Sequence, residues 1–153
     1  MIDRYRLTFY LNGGGVNIAG TLYIDLGEGG DLFNAQNVSL AGSVFGGDVF
    51  VVGSEALGGN SFLTDAATVI NGDVFVVFSS STNINTAVFR GTYSGTYGTY
   101  RGGTTVDVVN FGADAEDMTF VALMGDSDDE LFWNRRPIYC RCWLILRTAM
   151  TRW

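Results

Sequence analysis

Apolar and polar positions alternate at both ends of the chain, while the strand positions of a duplicated segment in the middle are apolar on both faces. At the start, Tyr5, Leu7, Phe9 and Leu11 alternate with Arg6, Thr8 and Tyr10. This period of two predicts a half-buried strand. Val16 to Leu26 reads as a second strand with a bulge at Gly20. In the middle, Val44-Phe45-Gly46-Gly47-Asp48-Val49-Phe50-Val51-Val52 returns as Val69-Ile70-Asn71-Gly72-Asp73-Val74-Phe75-Val76-Val77, offset by 25 residues. Gly-Gly and Asn-Gly between two β runs are what a two-residue type I′ turn requires, so each copy is predicted to be a β-hairpin. Pairing across such turns puts Val44, Val49 and Val51 on one face and Phe45, Phe50 and Val52 on the other. The second copy sorts in the same way. Neither face is polar, so both are expected to be covered. On this reading Asn71→Gly is harmless, and Gly72→Val breaks a turn that needs positive φ.

Further along, Thr86 to Arg101 carries Gly-Thr-Tyr three times, and Thr104 to Phe111 is predicted to be another strand, with Val106 and Val108 on one face and Val109 and Phe111 on the other. Met118 to Leu123 is read as a strand, with a helix as the alternative. Ser127-Asp128-Asp129-Glu130 has the form of a capping box, predicting one short helix over 128–136 that Pro137 ends. Ile138 to Arg147 alternates, predicting a long last strand, again with a helix as the alternative. Roughly nine or ten strands with short links predict a single all-β domain over 1–153. The expected architecture is an antiparallel β-barrel, with a β-sandwich as the alternative. First and last strands are expected to pair and close it, which removes two open edges.

Composition narrows the chemistry more than it names it. The chain is 47 % hydrophobic and 16 % charged, with 21 Gly and one Pro in 153 residues, which suits a packed globule with many tight turns. It has no His and no Lys. The commonest general base and metal ligand is therefore missing, as are Schiff-base chemistry and the phosphate-loop lysine. The net charge of −7 disfavours nucleic acid as a partner. No apolar run approaches the ~20 residues of a membrane-spanning helix, and no signal peptide opens the sequence. A cytoplasmic location is the default expectation. Charge is unevenly placed, at −12 over residues 1–130 and +5 over 131–153.

Four groups of residues are candidates for function. Tyr93, Tyr97 and Tyr100, flanked by Arg90 and Arg101, form a tyrosine-rich strand able to stack a ring-shaped or apolar ligand; packing against neighbouring glycines is the plainer role. Asp48 and Asp73 are equivalent in the repeat. Side by side they would form an acid/base pair, although Asp after a turn is also an ordinary local hydrogen-bonding residue. Arg141, Trp143, Arg147 and Trp153 have the composition of a protein interface. The acidic run 126–130 lacks the glycine and the final glutamate of a calcium loop, so no metal and no cofactor are expected. Gly-Gly-Asp at 29–31 and 46–48 does not follow the nine-residue calcium repeat of parallel β-helices. The expected function is a non-enzymatic, self-associating binding or assembly module, a homo-oligomer with room for a small-molecule ligand. The alternatives are a His-free barrel enzyme using Asp and Tyr, or a structural part of a larger assembly.

Overall fold

The computed structural model describes residues 8–11, 16–26, 36–53, 59–78, 83–115, 118–133 and 146–148. The chain winds as a parallel β-solenoid with three strands to a coil. It begins with β1 (Thr8–Tyr10), β2 (Asn17–Ile18) and β3 (Leu22–Asp25), then β4 (Gln36–Ser39), β5 (Val44–Phe45) and β6 (Val49–Gly53). Next come β7 (Asn60–Leu63), β8 (Val69–Ile70) and β9 (Val74–Phe78), followed by β10 (Asn85–Phe89), β11 (Thr92–Tyr93) and β12 (Tyr97–Arg101). The series ends with β13 (Asp107–Phe111), β14 (Asp114–Ala115), β15 (Thr119–Gly125), β16 (Glu130–Trp133) and β17 (Leu146–Thr148). Up to β16 each strand stacks on the one three before it, and β17 stacks on β15. Sheet A runs β1-β4-β7-β10-β13-β16, sheet B runs β2-β5-β8-β11-β14, and sheet C runs β3-β6-β9-β12-β15-β17.

This overturns the antiparallel barrel, the sandwich and the hairpin repeat. Val44 pairs with Val69, and Val49 with Val74, each 25 residues on, in parallel register. The repeat is therefore one coil lying on the next. Gly46-Gly47-Asp48 does not reverse the chain; it bends it from sheet B into sheet C. The change of direction re-sorts the side chains. Phe45, Val49 and Val51 all point inward and are fully buried, as are Ile70, Val74 and Val76 one coil later. Val44, Phe50, Val52, Val69, Phe75 and Val77 point outward and are half-buried. The expected first-to-last closure is also corrected. β1 lies at one end of sheet A and β17 at the other end of the solenoid, in sheet C.

Each corner has its own coil-to-coil ties. Between sheets A and B, Asp65 Oδ1 accepts the Gly42 amide (2.9 Å), the Ala67 amide (3.1 Å) and the Thr68 hydroxyl (2.9 Å). These bonds, the Gly42 amide foremost, hold its carboxyl below the usual value. Between sheets B and C the glycines lie over one another. A Cβ on Gly47 would sit 2.8 Å from the Gly20 carbonyl carbon, and one on Gly72 would sit 2.5 Å from that of Gly47. A Cβ on Gly95 would in turn collide with the Gly72 carbonyl. Close approach, not positive φ, thus requires glycine at position 72. Asn71 is exposed on the same corner, so Asn71→Gly should change the urea midpoint by no more than about 1 kcal/mol equivalent.

The expected helix over 128–136 is corrected too. Glu130–Trp133 is the strand β16, paired with β13, and residues 134–136 lie outside the described residues. Asp129 does not cap a helix. Its Oδ1 accepts the Asp107 amide of the preceding coil (2.9 Å) and the Ser127 hydroxyl (2.8 Å). Thr119–Gly125 is a strand, the first of the two readings given for 118–123.

One hydrophobic cluster drawn from all three sheets fills the space between them. Phe120 of sheet C meets Phe111 (4.4 Å between ring centroids) and Phe89 (5.1 Å, edge-on) of sheet A. Among the described residues, no helix is long and apolar enough to cross a membrane.

Candidate functional site

With the interior occupied by side chains, the outer faces are where a partner has access. Sheet C carries the most apolar of them. On β3, β6 and β9 the outward positions align in register as Tyr23, Phe50 and Phe75, and as Asp25, Val52 and Val77. Tyr97, Thr99 and Arg101 are the outward positions of β12, where Thr99 pairs with Phe75 and Arg101 with Val77. Phe50 and Phe75 stack face to face, with centroids 4.7 Å apart and planes within 6°. Tyr23 (6.3 Å, 39°) and Tyr97 (6.4 Å, 31°) flank this pair. Parallel in-register strands place like side chains about 4.8 Å apart, which favours such ring ladders. Tyr23 is 62 % exposed and Tyr97 40 %. The two phenylalanine rings cover much of each other's faces and present mainly their edges outward, unlike a flat platform for a sugar or base.

Tyr93 and Tyr97, read as sharing a face across Gly95, are separated by the corner at 94–96, while Tyr100 lies opposite Tyr97 along β12. Tyr93 and Tyr100 point inward and are fully buried, whereas Tyr97 points outward. Tyr93 Oη is 2.7 Å from Thr64 Oγ1, which also accepts the Arg90 amide at 2.8 Å. Burial holds the Tyr93 hydroxyl well above its usual pKa. Tyr100 donates to Asp107 Oδ1 at 2.9 Å, and burial followed by the neighbouring carboxylate pushes its pKa up as well. Arg90 and Arg101 are both exposed, but only Arg101 shares the sheet C face with Tyr97.

Asp48 and Asp73 stack along the glycine corner. Asp48 Oδ1 accepts the Asp73 amide (2.9 Å), and Asp73 Oδ1 accepts the amides of Thr96 and Tyr97 (both 2.8 Å). Each ties its coil to the next, which explains why the repeat keeps Asp there. Arg141, Trp143 and Trp153 lie outside the described residues; Arg147 falls in β17, whose side chains are likewise outside them.

A polar ladder that sequence reading missed runs along the corner between sheets C and A. Asn60, Asn85 and Asp107 occupy one register position and are fully buried or nearly so. Asn85 Oδ1 accepts the Asn60 amide (3.0 Å), and Asn85 Nδ2 donates to Asp107 Oδ1 (2.8 Å). The signal lay in the spacing: Asn60 and Asn85 share the 25-residue offset of the duplicated segment. Among the described residues, no three Asp, Glu, Cys or His side chains cluster so as to hold a metal ion.

No protein-family model matches the chain, and neither a curated protein nor a solved structure shows significant similarity to it.

Proposed function

We propose that the chain is a non-enzymatic assembly module that pairs with a second copy of itself through the outer face of sheet C. The aromatic and valine rows on that face carry the proposal. A contiguous apolar surface of this kind marks an interaction site on a soluble protein. The four strands that carry this pattern, β3, β6, β9 and β12, lie about 4.8 Å apart and span roughly 14 Å. The pattern is also complementary to itself. Across β3, β6, β9 and β12 one row reads Asp25, Val52, Val77 and Arg101, with acid and base at its two ends, and Leu123 of β15 continues it beyond Arg101. Two copies placed face to face with their axes reversed bring Asp25 of each opposite Arg101 of the other, and Val52 opposite Val77. The same two-fold sets Phe50 of one copy over Phe75 of the other, as an isologous interface requires.

Sedimentation at increasing micromolar concentrations tests this. The parent should dimerise, and Phe75→Asp should weaken the dimer about a hundredfold, as expected when a central aromatic is lost. The circular dichroism spectrum should be unchanged, because the side chain lies outside the core. Arg101→Asp acts at the rim and should cost only about two- to fivefold. A parent that stays monomeric rejects the proposal. A dimer indifferent to Phe75→Asp rejects the sheet C face.

A ring-shaped ligand is the second reading. It is favoured by Tyr97, whose exposed ring shares a strand and a face with Arg101. The enzymatic reading has least behind it, since Asp48 and Asp73 both spend Oδ1 on backbone amides.

A further inference from the structure

The polar ladder between sheets C and A changes character along its length. Asn60 and Asn85 are amides, neutral at every pH. Asp107 occupies the next register position and is a carboxyl with no exposed surface. Its Oδ1 accepts from Asn85 and Tyr100. Its Oδ2 lies against the Gly102–Gly103 backbone and has no hydrogen bond of full geometry there. Among the described residues, the groups facing the carboxyl are Asn85 of β10, Tyr100 of β12, the Gly102–Gly103 backbone and Asp129 just before β16. None of them is positive, and Asp129 is an acid whose own Oδ2 is buried without a hydrogen bond. A buried anion with no counter-ion is costly, whereas a neutral carboxyl has the shape and bonding of the amides that precede it.

We propose that Asp107 is a proton-operated lock on the coils built from β10, β13 and β16: protonated it continues the amide ladder, and ionised it loosens these coils. Burial first, then the charge of Asp129, raises the carboxyl from 3.8 to about 6, against the lowering effect of the Asn85 and Tyr100 bonds and of the nearby Gly103 amide. Because the folded protein holds this proton more tightly than the unfolded chain, the contribution to stability is complete below 3.8. It is lost as pH rises through about 6. A shift of this size corresponds to roughly a hundredfold change in the folding constant.

The test is urea denaturation of the full chain across this pH window, parent against Asp107→Asn. The variant removes one titration and leaves the other carboxylates in place. The parent's folding constant should fall relative to the variant's by about a hundredfold, beginning as pH rises past 3.8 and levelling off above about 6. A ratio that stays constant with pH overturns the proposal. Should Asp107→Asn fail to fold, the carboxyl ¹³C titration of Asp107 in the parent decides: a midpoint near 6 supports the lock and one near 3.8 overturns it. Asp129→Asn should move that midpoint downward, and an unmoved midpoint would remove Asp129 from the device.

Discussion

Gly72→Val should abolish the folded state or lower its stability by at least about 3 kcal/mol, a large share of what a domain of this size has. Gly72 lies in the middle of the glycine stack at the corner between sheets B and C. A Cβ there would lie 2.5 Å from the Gly47 carbonyl carbon and against the Asp48 carboxylate. Both belong to the preceding coil, and Asp48 Oδ1 is already committed to the Asp73 amide. Backbone cannot yield as a flexible side chain can, so the coils must separate. Separation would also break the Val49–Asp73 and Asn71–Phe45 backbone hydrogen bonds on either side of the corner (both 2.9 Å). The check is a urea titration followed by circular dichroism, with Asn71→Gly as the neighbouring control. Normal stability in Gly72→Val would show that the coils do not touch at this corner.

Phe120→Ala is the second large effect, expected at about 3–5 kcal/mol. Phe120 is fully buried on β15 and packs against Phe89 and Phe111 of sheet A, with Trp133 of β16 at 6.3 Å. Truncation removes a ring that joins two sheets and leaves a cavity bounded by other rings, which are held in their own strands and collapse poorly into it. The loss should appear as a lower thermal midpoint with the β signature retained at low temperature. A change below 1 kcal/mol would mean that sheets A and C are not packed through this residue.

Strand content was legible in the sequence; strand direction was not. The 25-residue offset and the Gly-Asp pairs are equally well formed for two stacked hairpins or for two stacked corners. A two-residue glycine turn and a glycine bend leave the same letters behind. The offset itself was the stronger clue, since self-similarity at 20–50 residues marks stacked repeats. It faded because the coils shorten. Val49 pairs with Val74 at 25 residues, Val74 with Gly98 at 24, and Tyr97 with Thr119 at 22. A repeat that changes length by three residues escapes a fixed period, although the register still closes. The misread direction also misassigned faces. Phe50 and Phe75 were placed with Phe45 and Ile70, whereas the corner turns the first pair outward and the second inward. Tyr97 and Arg101 stand out in the Gly-Thr-Tyr stretch, but Tyr23, Phe50 and Phe75 join them on one face only once coils are stacked. Asp107 gave no local signal, because its burial depends on residues 22 positions away on each side.

Nuclear Overhauser contacts in isotope-labelled protein test the winding most directly. A parallel solenoid predicts cross-peaks between the Phe50 and Phe75 rings and between backbone protons of Val51 and Val76, with none between Val44 and Val49. Strong Val44–Val49 contacts without the Val51–Val76 set would mean that the chain doubles back at Gly46-Gly47, and the solenoid would have to be abandoned.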